Sequence, residues 1–457
     1  MIIATTQIFA QDRHYRLESF IDYADRLCEQ GKYQKALDKY YEVLNQITRE
    51  EDDEFYAQVM YGIGMVHFNL SDEGDKADNL HIAIDAIAQA LEIVKSWEQQ
   101  EDYLSVLTDL TDCYQALAEV ENCESNLNTA LQLFDEFEAH FQSDLDLKNI
   151  SQIDYWKAMI YLDLGRIRNS EANVMKSSEL MRASYDTMFS LYGEELEPTN
   201  YRIVTDVSCA YNYIILASIR DREKNLTQAL YLLEKPLEQI ASEADPEIYV
   251  GVQIAMAEYY NCYSHIEKPV EYLQKALLTA SDMQESMSDW MYQSEKMSLK
   301  WDIGYDFYCL AKYQDTLQNL QLALNYFDEI SEYYRREDFV LYYAGLQNDY
   351  ASLYLALSEV TDTRTNIDSA FAHLRKIEEM ATREDYPILY AYYQVTLGEA
   401  CLDLADLENA SANLNKSIEA LKKGIDAARQ ENYLNLIENA SSLLDKAVNK
   451  LGKLKTM

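Results

Sequence analysis

The chain has 457 residues, 48% of them hydrophobic and 12% aromatic, with only 12 Gly and 5 Pro and a formal net charge of -40. A surplus of acids on this scale repels phosphate backbones and anionic bilayers, so neither nucleic acid nor membrane is expected as a partner. No stretch approaches the roughly 20 apolar residues that span a bilayer, and the apolar first ten residues lack the basic start and hydrophobic core of a signal peptide.

In chain order, Phe20, Tyr23, Ala24 and Leu27 fall on one face of a predicted helix, Gly31 ends it, and Ala36, Tyr40 and Val43 follow at helical spacing on a second. From there one short stretch recurs. Asn79, Asn126 and Asn173 are spaced by 47 residues, Asn225 follows after 52, Asn319 after 94 (twice 47), and Asn366 and Asn413 after 47 each. A member without Asn falls at Tyr272-Leu273, and Lys32-Tyr33 supplies the earliest, giving nine repeats. A fixed period in this range is the signature of a stacked array, in which each repeat packs only on its neighbours. Fifteen residues before each of these positions from Asn79 on, Tyr272 included, stands a mostly small residue, among them Gly64, Ala158, Ala257, Gly304 and Gly398. Three residues later comes a ring in most repeats, as at Tyr114, Tyr161, Tyr213 and Phe307, and this row is expected in the core. The Asn row is expected to be structural, its amides bonding backbone in the inter-helix turn or in the next repeat. Repeat four is degenerate, with Ser177-Ser178 in place of Ala-Leu, and a bend is expected at 191–200 around Pro198. Repeat six opens its second helix near Pro269, and the polar, Met-rich link 281–294 around Met287 is a second expected bend. The last helix, Glu431 to Leu454, has Leu434, Ile437, Leu444 and Val448 at the positions expected to be buried, and serves as a cap.

Ala24, Ala36 and Tyr40 match the small, small, aromatic pattern of the tetratricopeptide repeat, and the chain resembles that family over roughly residues 15 to 430. In the later repeats Gly64 and Ala83 are 19 residues apart, seven more than Ala24 and Ala36, or close to two helical turns. The hairpin is lengthened while its buried face is nearly kept, as in the long-repeat arrays of prokaryotic proteins. The resemblance implies an all-α, right-handed superhelical solenoid of antiparallel hairpins, nine repeats plus a C-terminal capping helix. The expected division is 1–190 (repeats 1 to 4), 191–430 (repeats 5 to 9) and 431–457 (cap and tail).

The six His occur singly, and there is no His-Glu-x-x-His, Walker-type loop or nucleophile elbow; no catalytic residue, metal site or cofactor is expected. The seven Cys are scattered, odd in number and free of Cys-x-x-Cys spacing, which fits small core residues in a reducing cytoplasm. The expected function is that of a non-enzymatic scaffold or adaptor holding a protein or peptide segment, with a basic stretch, in a concave groove. By resemblance, the positions one and four after the small residue face that groove. They nominate Tyr211, Tyr305 and Tyr308, with Trp301 added to them, as aromatic anchors and Asp112, Glu258 and Asn261 as polar partners. The acidity serves either recognition or solubility. Two alternatives stand beside the scaffold: an effector-sensing array that tightens on binding, and the regulatory subunit of a complex whose catalytic chain is separate.

Overall fold

The structure, a computed structural model, describes residues 2–97, 99–193, 200–239, 246–286 and 293–456. Pro198 and Met287, on which the expected bends centre, lie outside these residues. Among the described residues there are α-helices and two short 3-10 turns and no strand. The helices are α1 (Ile2–Glu29), α2 (Tyr33–Leu44), α3 (Asp53–Leu70), α4 (Lys76–Val94), α5 (Gln100–Ala118), α6 (Cys123–Phe141), α7 (Leu147–Ile167), α8 (Ser170–Tyr192), α9 (Asn200–Ile219) and α10 (Arg222–Gln239). They continue with α11 (Pro246–Ser264), α12 (Pro269–Ser286), α13 (Gln293–Leu310), α14 (Thr316–Ser331), α15 (Val340–Ser358), α16 (Thr363–Ile377), α17 (Pro387–Leu404), α18 (Ala410–Gln430) and α19 (Leu434–Thr456). Consecutive helices pack as hairpins, α3 with α4 and α17 with α18 most extensively, in a tetratricopeptide-like array. The chain forms two compact units, residues 1–150 and 151–457, with their junction inside α7.

The hairpins close because the crossing points carry almost no side chain. Ala24, Ala158, Ala210 and Ala351 on the first helices are completely buried, as are Ala36, Ala83, Ala229 and Ala323 on the second. Where a glycine stands instead, the backbone approach is closer still: a Cβ on Gly398 would lie 2.5 Å from Leu421 Cγ. Repeat four keeps this geometry with serines. Ser177 is fully buried, and Asn212 Nδ2 donates to its Oγ at 3.1 Å and to Ser178 Oγ at 3.0 Å.

The Asn row does hold the turns. Asp75, Asn122, Asn169, Asp221, Asp315 and Asn409 each begin a second helix with a left-handed backbone, φ 44 to 48°, a conformation that non-glycine residues adopt at a cost. Four residues on, Asn79, Asn126, Asn173, Asn225, Asn319 and Asn413 each donate Nδ2 back to the carbonyl five residues earlier, at 2.8 to 2.9 Å. Each amide thereby satisfies a turn carbonyl that no helix reaches. Asn366 differs: Asp362 caps its helix by accepting from Thr365 N at 3.2 Å, and Asn366 donates to Thr361 Oγ1 at 2.7 Å.

Two expectations about faces need correction. The ring row three after the small residue is only half-buried, Cys401 excepted, whereas the row one residue earlier is fully buried, as at Val66, Cys113, Ile160 and Leu353. Leu353 of that row packs on α14 of the preceding hairpin, while the ring of Tyr354 stacks on His373 of its own second helix. In α19 the buried side is Leu436, Ala440, Leu443, Ala447 and Leu451, while Leu434 and Val448 are 46% and 48% exposed and Ile437 and Leu444 are half-buried. The reason is that α19 does not simply lid α18. Its apolar side shares one cluster with Leu162, Val174, Leu216 and Ile219 of α7 to α9, so the residues 151–457 curve until their end meets their beginning.

Polar contacts mark this meeting. Asn435 Nδ2 donates to the carbonyls of Ala217 at 3.2 Å and Ser218 at 2.6 Å. These belong to the last turn of α9, whose carbonyls have no intrahelical partner. The backbone N–H of Asn169 donates to the Glu431 carboxylate, Arg168 donates to the carbonyl of Glu384, and Ser170 Oγ donates to Tyr433 OH at 3.4 Å.

Candidate functional site

Closure of the second unit turns its concave face into a lumen lined by the first helix of each hairpin. Arg166 of α7 makes an ion pair with Asp163 at 3.3 Å and lies within electrostatic reach of Tyr342 of α15, across the unit. Tyr211 of α9 similarly feels Asp302 of α13, and Tyr305 of α13 feels Tyr392 of α17. Water reaches these groups, since Tyr305 is 38% and Tyr392 39% exposed.

The expected partner-binding residues of this unit gather there. Tyr211 OH donates to Glu258 Oε1 at 2.9 Å, linking α9 to α11. Asn261 Nδ2 donates to the Asp306 carboxylate, linking α11 to α13. Trp301 Nε1 donates to Asp349 Oδ2 at 2.8 Å, linking α13 to α15, and its ring meets Tyr334 edge-on at a centroid distance of 5.2 Å. Tyr305 and Tyr308 have centroids 5.9 Å apart, and the Lys312 ammonium lies 4.7 Å from the Tyr308 centroid. A cavity of about 200 Å³ opens beside Ala257, Glu258, Asn261, Asp302, Tyr305 and Asp306, room for one long side chain or some six waters. Asp112 stands apart from this set, on α5 of the other unit. Burial, and then the nearby Asp109, push its carboxyl up to about 7; Asp109 itself accepts from Tyr61 OH at 2.7 Å.

Burial dominates the electrostatics of the lumen. It raises Glu258, against the Tyr211 hydrogen bond and Arg166, and it raises Asp302, with Glu258 and Asp306 adding repulsion. Asp306 is pushed up to about 7 by burial, opposed by its bond from Asn261, and Asp349 to about 7 by burial, opposed by its bond from Trp301. Burial thus disfavours the charged form of these carboxyls, and a cation brought beside them would favour it. Tyr211, facing Glu258 in a buried setting, is held far above the usual phenol range and stays a hydrogen-bond donor.

Asp302, Asp349 and Arg166 were not among the expected site residues. Asp302 and Asp349 stand two before the small position, about 60° round the helix from the residue one after it, and so share its face. The row four after the small position contributes less, because Leu162, Ile214, Leu355 and Leu402 of that row are buried. Among the described residues, no group of three or more His, Cys, Asp or Glu is arranged to hold a metal ion. None of the described helices is long and apolar enough to cross a membrane.

No protein-family model matches the chain, and no curated protein matches its sequence. Solved structures align with the chain at low identity. The apo form of RapI is 15% identical, with 91% of this chain and 98% of that one covered and a TM-score of 0.44. A human IFIT1 dimer with PPP-AAAA is 16% identical, covering 94% and 88%, with a TM-score of 0.43. A signal-transduction ATPase with a tetratricopeptide repeat sensor, from Pyrococcus horikoshii, is 16% identical over 88% of this chain and 55% of its own, with a TM-score of 0.41.

Proposed function

We propose that this protein is a non-enzymatic interaction protein whose second unit takes a cationic segment of a protein or peptide into its lumen. The supporting observation is the convergence of Tyr211, Glu258, Asn261, Asp302, Tyr305 and Asp306 around a cavity sized for one long side chain. Aromatic rings flanking carboxyls offer a Lys or Arg both a face for its stem and an acceptor for its charge. The net charge of -40 adds a long-range field that raises the capture rate of a basic partner and falls away with salt.

The test uses a fluorescent nona-arginine peptide and reads anisotropy at low and moderate salt. Tyr305→Ala with Tyr308→Ala leaves the formal charge unchanged and is expected to weaken binding roughly tenfold, with little change in melting temperature. Glu258→Gln with Asp302→Asn is expected to weaken it further. Equal binding by wild type and both variants would mean that the peptide coats the acidic exterior, and the lumen would lose its role. A tyrosine pair that unfolds the protein would make those rings structural.

A further inference from the structure

We infer that the contact between α19 and α9 is a gate, through which the second unit opens to admit a segment into its lumen and recloses around it. The inference rests on the lumen being the binding site. Among the described residues, the other helix packings of this unit lie within a hairpin or between consecutive hairpins, which the chain itself ties together. The closing contact joins residues more than 200 positions apart and touches α9 only over a short stretch, where Leu216 and Ile219 share an apolar cluster with Tyr433 and Leu436 beside the polar contacts.

The chemistry of that contact also suits opening. Asn435 bonds two carbonyls at the end of α9, Glu431 bonds a turn N–H, and Arg168 bonds the Glu384 carbonyl. Water can replace each of these partners, so their loss on opening is largely compensated. The contact is incompletely packed: a cavity of about 280 Å³ lies between Asn169, Glu171 and Met175 on one side and Gln430 to Asn432 on the other, and Met175 is 56% exposed. Because each hairpin of an array depends on its nearest neighbours, parting one interface leaves the others folded. A closed lumen whose lining is still wet requires such an opening if the middle of a chain, and not a free end, is to enter.

Hydrogen exchange by mass spectrometry on the full chain tests this, together with stopped-flow binding of the nona-arginine peptide. Wild-type amides of α19 and of the last turns of α9 should exchange as one set, faster than those of α13 to α16. Asn435→Ala should accelerate that set about tenfold, as expected for one or two lost hydrogen bonds, leave α13 to α16 unchanged, and raise the peptide association rate by a similar factor. Glu431→Ala, at the other end of the contact, should act in the same direction. Fraying of the chain end cannot imitate the result, since it would not move α9. If α9 amides exchange only with the rest of the unit, or if Asn435→Ala hastens exchange without hastening association, the gate is overturned. A wild type that does not bind nona-arginine at all overturns the lumen reading, and the gate's purpose with it.

Discussion

The same substitution, Gly to Ala inside a helix, should change stability in opposite directions at two positions of this molecule. At Gly398 a new Cβ would meet Leu421 Cγ at 2.5 Å, Cδ2 at 2.8 Å and the Leu421 backbone nitrogen at 3.3 Å. At Gly251, in α11, a Cβ would meet nothing within 4 Å. Alanine gains about 1 kcal/mol over glycine in a helix, whereas overpacking a close crossing costs about 1 to 3 kcal/mol. Gly398→Ala should therefore be destabilising by about 1 kcal/mol and Gly251→Ala stabilising by about 0.5 to 1 kcal/mol. Urea denaturation followed by circular dichroism would show one midpoint falling and the other rising. Leu421→Ala alone should cost about 2 to 5 kcal/mol, and combined with Gly398→Ala it should cost less than the sum, because the added methyl occupies part of the space left. A rise in midpoint for Gly398→Ala would refute the claim that close approach at this crossing sets the hairpin geometry.

Asn319→Ala should cost about 1 to 2 kcal/mol, since the amide is buried and its carbonyl partner in the turn has no other donor in the helix; Asn366→Ala, where the turn is not left-handed, should cost less, and thermal melts compare the two. Lys76, with a side chain only 6% exposed, pairs with Glu119 at 2.7 Å. Glu119→Ala, which removes this charged hydrogen bond, should lower the urea midpoint, by about 2 kcal/mol. Stability should also depend on pH. Asp112, Asp306 and Asp349 keep their protons up to about 7 in the folded protein but lose them near 4 when unfolded, so folding takes up protons between those values and stability falls as pH rises through the window. His265 and His373, lowered to about 4 chiefly by burial, work the other way and lose stability as pH falls from about 6.5. The carboxyls outnumber them, and the melting temperature should be lower at pH 7.5 than at pH 5.5, with a smaller drop in Asp349→Asn, which keeps the acceptor for Trp301 Nε1. An equal drop in that variant would assign the dependence elsewhere.

Periodic features were legible in the sequence because each hairpin solves the same packing problem. Ala36 and Ala83 had to be small, and the Asn row had to find local partners, since a ligand would not repeat its chemistry seven times. Aperiodic features were not legible. Asn435 carries no sign that its partners are Ala217 and Ser218, and the face of α19 was misassigned for the same reason: an ordinary cap buries one stripe, whereas α19 also meets α9. The lumen was half legible. Tyr211, Glu258 and Tyr305 fell in the nominated row, while Asp302 and Asp349 could have been found by extending that row backward round the helix, and Arg166 only from the curvature of the whole unit.

Closure also bears on how such a chain can evolve. An open array tolerates duplication of a repeat, because a new member needs only two compatible neighbours. Here an extra repeat anywhere between α9 and α17 would displace Asn435 and Leu436 from the end of α9, so the length of this part of the chain is fixed by its own circumference. Ancestral lengthening and shortening should be rarer here than in the stretch before Ser151.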